Sequence, residues 1–417
     1  MARSFCILPA LALFVVVLDA LPGRQAESWT GWRGPNRNAW VESAPGPEAW
    51  SKPLVGVWTY DVGEGYSSPL VYNGRVYQLA RKNESEIVYC IDLQTGRLLW
   101  QQRYEAPFQI GSGGERHGKG PKSTPVLASG RLFTLSIHGV LHAWNATTGQ
   151  LLWRREFNEF GKAHPYWGAA TSPIVHQDRL LVHVGNDEQG GALLCLNTAD
   201  GTEIWRVAGD GPCYSSPVVA ELDGVVQLVE WNHQAVVGVD IQTGNVLWRY
   251  ALPHVGPDQN MPTPILFQYY VIIGAENRGF RALRPQREGD SWRVDVVWQN
   301  DEVAQEMSTG VIWKDYLFGF SHYDSGRLFC MDPTNGKVLW KGPPRAGENA
   351  YLLATPKYIF VLLDSGKALI LDPDPNRYHV LAKHNPVRAP AWTPLVLLRD
   401  GVVIKSGTIL ARCYFGR

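Results

Sequence analysis

Four histidines, His117, His164, His233 and His322, stand in polar stretches of this chain, each among groups able to bind a ligand or move a proton. His117 follows Glu115 and Arg116, and His164 precedes Tyr166 and Trp167. His233 closes the run Glu230, Trp231, Asn232, and His322 precedes Tyr323 and Asp324. Four imidazoles would suit a transition metal, but no HxH or HExxH spacing ties any two together, so they are expected as surface residues rather than ligands. Asp258, Asn260, Glu276 and Asn277 offer hard oxygen donors of the kind a calcium ion takes. There is no glycine-rich phosphate cradle, no Gly-x-Ser-x-Gly nucleophile elbow and no kinase signature. Asn83 to Ser85 and Asn145 to Thr147 fit the glycosylation sequon, which matters only in a eukaryotic secretory pathway.

Two signatures recur along the 417 residues and must position these groups. The first is a Ser/Thr-Pro pair opening an apolar run, at Ser68, Thr124, Ser172, Ser216, Thr263, Thr355 and Thr393, with Ser308-Thr309-Gly310 filling the gap. Pro69 and Pro394 lie 325 residues apart in seven steps, about 46 per step, the spacing of four-stranded propeller blades. The second is a glycine turn followed by tryptophan: Gly96 and Trp100, Gly149 and Trp153, Gly201 and Trp205, Gly244 and Trp248, Gly336 and Trp340. Trp298 holds the place in a fifth unit whose turn has become Arg287 to Asp290. Each unit reads as strands A, B and C, a turn where glycine supplies a positive φ, and strand D. Dense apolar runs in place of alternation fit sheets covered on both faces. The eighth unit offers only three strands, and PLVGVWTYDVG with Trp58 precedes the first Ser-Pro pair. Pairing the two would close the ring and remove its last open edges. The expected fold is all-β: an eight-bladed β-propeller of four-stranded antiparallel blades over residues 54–417, closed by the N-terminal strand.

The ends and the charge bound the cellular context. Ile7 to Leu18 is an apolar run of twelve residues ended by Asp19, shorter than the roughly 20 of a spanning helix. Residues 1–26 are therefore expected to be an export signal cleaved between positions 20 and 28, residues 27–53 an extension, and the protein periplasmic or secreted with no membrane anchor. Lys+Arg and Asp+Glu are both 39, so no basic excess advertises a nucleic-acid partner. A monomer is expected. Cys90, Cys195 and Cys330 recur at one repeat position that elsewhere holds Ala143 or Gly238, which marks a tight buried slot where cysteine acts as a small apolar residue.

The recurring Asp-x-x-Thr-Gly-x-x-x-Trp signature resembles the tryptophan-docking repeat of pyrroloquinoline-quinone-type propellers, over essentially residues 54 to 417. The leading segment Trp29 to Arg37 is similar to the stretch that precedes such propellers in exported bacterial proteins. The resemblance implies two functions. One is a non-catalytic scaffold, similar to the BamB family that assists outer-membrane protein assembly, although no lipid-attachment cysteine follows the leader here. The other is a quinone-dependent alcohol or sugar dehydrogenase, which needs the quinone, usually calcium, and an acidic base. Many such enzymes carry adjacent cysteines, and this chain has none. The first reading is preferred, with no cofactor and an unidentified envelope or secreted protein, or a small ligand, as partner.

In an antiparallel meander the A–B and C–D turns share one face, and the longer D–A and B–C loops share the other. Binding is expected on the latter, through Arg116, His117, His164, Trp167, Glu230, Trp231, Asn232, His233, Asp258, Asn260, Glu276, Asn277, His322 and Tyr323 around the channel mouth. Cys90, Cys195 and Cys330 should lie in non-neighbouring blades and stay unbridged. Non-reducing peptide mapping checks this, and a disulfide joining any two of them would break the blade register.

Overall fold

Asn73 and Gly74, with φ of 47° and 72°, make the two-residue hairpin turn that positive φ at both positions favours. They join Leu70–Tyr72 to Arg75–Lys82, which pairs onward with Ser85–Asp92 and that with Leu98–Glu105. The computed structural model describes residues 28–416, so the expected export leader lies outside the described residues. The two middle strands of this sheet are buried along nearly their whole length, whereas the fourth alternates half-buried with exposed. That gradient is what a radial blade with neighbours on both faces requires. The same four-strand meander recurs over residues 126–155, 174–209, 218–251, 265–300, 311–341 and 350–384. The eighth sheet takes three strands from residues 396–415, and Leu54–Asp61 completes it by pairing with Ile409–Phe415. The protein is an eight-bladed, all-β propeller closed by its N-terminal strand.

The tryptophan signature fastens each blade to the next. Trp58, Trp100, Trp153, Trp205, Trp298 and Trp340 donate their indole N–H to backbone carbonyls of Leu93, Ala146, Thr198, Ile241, Pro333 and Asp374 in the following blade's C–D turn, at 2.9–3.2 Å. Five of these rings lie against a glycine at φ of 71–77°; a Cβ at Gly96 would sit 2.5 Å from Trp58, and one at Gly336 2.4 Å from Trp298. The small slot has the same origin. Cys90, Ala143, Cys195, Gly238, Ala282 and Cys330 each pair with the signature tryptophan of their own blade. The three cysteines fall in blades 1, 3 and 6, and every cysteine among the described residues is a free thiol. Trp248 departs from the pattern. The fifth blade extends its outer strands to ten residues each, Gly279–Glu288 and Ser291–Asn300, so the usual turn is missing. Trp248 instead donates to Gln227 Oε1 of its own blade, at 2.6 Å, and packs with Trp292 and Val294 from the long hairpin.

The Ser/Thr-Pro signature forms a hydrogen-bonded belt around the axis. The amides of Ser68, Thr124, Ser172 and Thr263 donate to the hydroxyls of Thr124, Ser172, Ser216 and Thr309 one blade onward, at 3.0–3.1 Å. One position needs correction. Thr355-Pro356 does not open an inner strand: it follows Ala350–Ala354, and its hydroxyl caps the A–B turn through Tyr358 N. The inner strand of that blade begins at Ala350, whose amide donates to Ser308 Oγ.

The N-terminal extension crosses the channel. Ser28–Trp29 adds a fifth strand to the inner edge of blade 1, making it the one sheet wider than expected. Thr30 O accepts from Leu127 N, and Trp32 Nε1 donates to Thr263 Oγ1. Arg33 bonds Thr309 O and Gly310 O; Arg37 bonds Pro217 O, Ser172 O and Pro173 O. Ala39 and Val41 then pair with Ala354. Inner-strand carbonyls have no ladder partner on the axis side, and a guanidinium can satisfy several at once. Burial lowers both arginines, Arg33 to about 10 and Arg37 to about 9, which leaves them charged at neutral pH.

Gly336→Ala combines a positive φ with a ring clash. It should cost about 2–4 kcal/mol in urea unfolding, with a smaller loss if Trp298 is also reduced to Leu. Arg37→Met strands three carbonyls in the channel and should cost at least about 1.5–3 kcal/mol by the same measurement. An unchanged unfolding midpoint would show that the extension is not part of the folded ring.

Candidate binding pocket at the loop face

The segment crossing the channel divides it in two. Gly34 to Arg37 line a cavity of about 350 Å³ toward the A–B turns. Trp32 and Arg33 floor a second one, of about 280 Å³, that opens toward the D–A loops. The connections entering all eight blades contribute to its wall: Tyr66, Lys122, Trp167, Tyr214, Met261, Glu306, Asn349 and Trp392 come from them in order, and Tyr351 from the first strand of blade 7. Such a mostly apolar concavity with a few convergent polar groups is the usual form of a ligand site.

The loop between blades 1 and 2 folds over its mouth. Gly111 and Gly114 lie against the rings of Tyr166 and Trp167, where a Cβ would approach to 2.3 and 2.8 Å. Ser112 N donates to Tyr166 Oη at 3.0 Å, and Trp167 Nε1 donates to Ser112 O at 3.1 Å. Trp167 in turn stacks on Tyr214 with 5.6 Å between centroids. From the same loop Arg116 forms a 3.0 Å ion pair with Glu348, which stands before blade 7. His117 meets the ring of Trp392 edge-on at 5.1 Å. Burial shifts the enclosed groups toward neutrality: Lys122 falls to about 8, His117 moves down through burial and then Arg116, and Glu306 moves up through burial with Arg116 opposing.

Of the fourteen residues expected on this face, Arg116, His117 and Trp167 line the pocket. His164 turns to Pro165 O, 2.8 Å away, and to the ring of Phe108. Glu230 is buried between blades 3 and 4, 2.7 Å from His183 Nδ1, beside a separate cavity of about 220 Å³. Trp231 is not at the mouth: it is fully buried, donates to Leu252 O and packs under the Arg278 guanidinium. Asn232 Oδ1 caps its own turn through the amides of Gln234 and Ala235, and His233 packs on His254 at 4.1 Å. Asn260 is fully buried, its amide donating to Asn232 O and Leu252 O and its oxygen accepting from Arg278. Asp258, Asn277 and His322 form a chain on the rim, with Tyr323 edge-on to His322. Glu276 accepts from Gln259 N and is pushed up to about 7, first by burial and then by Glu306.

Six of the pocket residues missed in the sequence share one register. Tyr66, Lys122, Ala170, Tyr214, Met261 and Met307 each stand two places before the Ser/Thr of the belt signature, and all six line the cavity. Aligning the units on that pair would have found them.

This donor set does not fit a calcium-bound quinone. Asp258, Asn260, Glu276 and Asn277 all lie outside the cavity lining, which leaves Glu306 as its one carboxylate. Among the described residues no three His, Cys, Asp or Glu side chains gather as a metal would require.

Comparison with known proteins places the chain among relatives of both kinds. It is 24% identical over 233 residues to the outer membrane protein assembly factor BamB of Burkholderia pseudomallei, a match spanning 54% of this chain and 57% of that one. The structure is similar to BamB from Moraxella catarrhalis, with a TM-score of 0.61 at 16% identity over 87% of this chain and 97% of that one. It is also similar to the quinohemoprotein alcohol dehydrogenase of Comamonas testosteroni, at 0.67 and 14% over 93% and 80%. At such identities the structural likenesses speak for the fold alone. The family profile described as outer membrane protein assembly factor BamB matches residues 84–342, more than half of the sequence, and the chain belongs to that family of pyrroloquinoline-quinone-repeat propellers.

Proposed function

We propose that this protein is an exported, non-catalytic binding scaffold that serves outer-membrane protein assembly through its D–A and B–C loop face. The observation that carries this reading is the one-ended pocket: the chain's own N-terminal segment closes the channel, and every blade entry contributes to the wall that remains. Family membership supports it. Among the described residues no helix is long and apolar enough to cross a membrane.

The chemistry of the buried acid–base pair favours the same reading. His183 and Glu230 resemble a catalytic dyad, but His183 Nε2 is also tied to Asp210 O at 2.8 Å. With both ring nitrogens facing acceptors, the imidazole donates twice and has no lone pair for a substrate proton. Burial is the largest single effect on its pKa and pushes it down, but Glu230 and Asp210 together outweigh burial and leave it raised, in keeping with a structural ion pair.

The test is made in the native envelope. Deleting the gene should lower the amount of folded, heat-modifiable β-barrel protein in the outer membrane several-fold. Complementation with the unaltered chain should restore it, and complementation with Trp167→Ala should restore less than half at equal expression. Unchanged barrel levels would reject the assembly role. Dye reduction with an alcohol or sugar after loading the purified chain with pyrroloquinoline quinone and calcium would reject the non-catalytic one.

A further inference from the structure

Hydrogen-bond supply and demand in the loop-face cavity are unequal. The Tyr351 hydroxyl is buried there with no partner among the described residues. The Lys122 ammonium carries three donors and, among the described residues, makes a single long bond, 3.4 Å to Gly118 O. Arg33 spends one N–H each on Arg37 O, Thr309 O and Gly310 O, which leaves two of a guanidinium's five. His117 accepts from Arg116 Nε at its Nε2, so its own N–H is at Nδ1. Against these donors the lining offers one carboxylate, Glu306. Arg116 is paired with Glu348, and Lys122 also feels the buried Glu86 outside the lining; within the lining itself Arg33 and Lys122 outnumber Glu306 by one positive charge.

A neutral apolar guest would leave these donors dry and unpaired, which is unfavourable for each buried group. A carboxylate accepts several hydrogen bonds at once and cancels the excess charge. Apolar surface dominates the rest of the wall, with Trp167, Trp392 and Met261 prominent. A cavity of about 150 Å³ holds benzene, so about 280 Å³ has room for one ring and a short acid-bearing stem.

We propose that this pocket binds a carboxylate carried on a compact aromatic or branched apolar body, held at the acid by Lys122, Tyr351 and Arg33. The acid comes either from a free small molecule or from the C-terminal residue of a peptide; the recognition chemistry is the same. The inference rests on the loop-face reading above and names the ligand of that face.

Calorimetric titration of the purified full chain tests it with four probes: 3-phenylpropionate, 3-phenylpropionamide, N-acetyl-glycyl-phenylalanine and the C-terminal amide of that peptide. At least one acid should bind ten-fold or more tightly than its own amide. The acid that does so identifies the source, free or chain-terminal. Tyr351→Phe removes only an unpartnered hydroxyl and should weaken the acid about five-fold while leaving the amide unchanged; Lys122→Met should do the same more strongly. Equal binding of acid and amide, no binding of either acid, or acid affinity untouched by both substitutions in folded variants would overturn the proposal. The two readings fail separately. Barrel levels that depend on Trp167 without acid binding would remove the ligand class and leave the scaffold. Acid binding with indifferent barrel levels would do the reverse.

Discussion

One contact sets the geometry of this molecule: an indole of one blade against a glycine in the next blade's turn. Glycine is needed twice at each such turn, for its positive φ and because a Cβ would enter the ring. The indole N–H meanwhile satisfies a turn carbonyl that neighbouring blades have shielded from water. The indole hydrogen bond recurs six times at 2.9–3.2 Å, five of them with the glycine contact, which fixes the angle from each sheet to the next and hence the number that closes a circle. Closure then follows from a strand borrowed from the other end of the chain. Trp58 on that borrowed strand docks on blade 1 like the others, so the seam carries both a ladder and a docking contact.

A closed ring creates its own problem at the centre. Eight inner strands turn carbonyls toward an axis where only water or a guest can meet them. The chain meets them itself, through Thr30, Trp32, Arg33 and Arg37. Two buried guanidinium groups with no carboxylate partner among the described residues would ordinarily be very unfavourable, but here each rests on several carbonyl dipoles and stays charged. The same crossing leaves a cavity with a floor. A channel open at both ends holds nothing strongly; a pocket sealed on one side by a cation and lined by aromatic rings does.

The repeat was legible because its physical demands recur with a fixed period. Blade count, the closing strand and the tight slot of Cys90, Cys195 and Cys330 all follow from groups that must be small, or must be aromatic, at one place in each unit. Irregular units were harder. Thr355-Pro356 has the belt's residues but sits after its strand, because a Thr hydroxyl before proline serves an A–B turn equally well. The role of residues 28–41 was hidden for another reason: the carbonyls that Arg33 and Arg37 satisfy lie 135 to 277 positions away in sequence, and no local pattern announces them.

The loop residues show why polar character alone is a poor guide to a site in this fold. A B–C connection of two or three residues must still satisfy its own backbone, and Asn186, Asn232 and Asn277 serve there as caps or brackets. Asn260 does similar work from a D–A loop, holding the chain of Asn232 and Leu252 in place. Their amides are consumed by the architecture before any ligand arrives. The D–A loops are longer, and their last residues before the belt are held at a fixed radius by hydroxyl–amide bonds one blade apart. Side chains two places earlier therefore converge on the axis whatever their type, and Tyr66, Lys122, Tyr214 and Met261 differ freely there. The belt supplies position and leaves identity open, so in this propeller the pocket wall is built from residues that the repeat places without constraining.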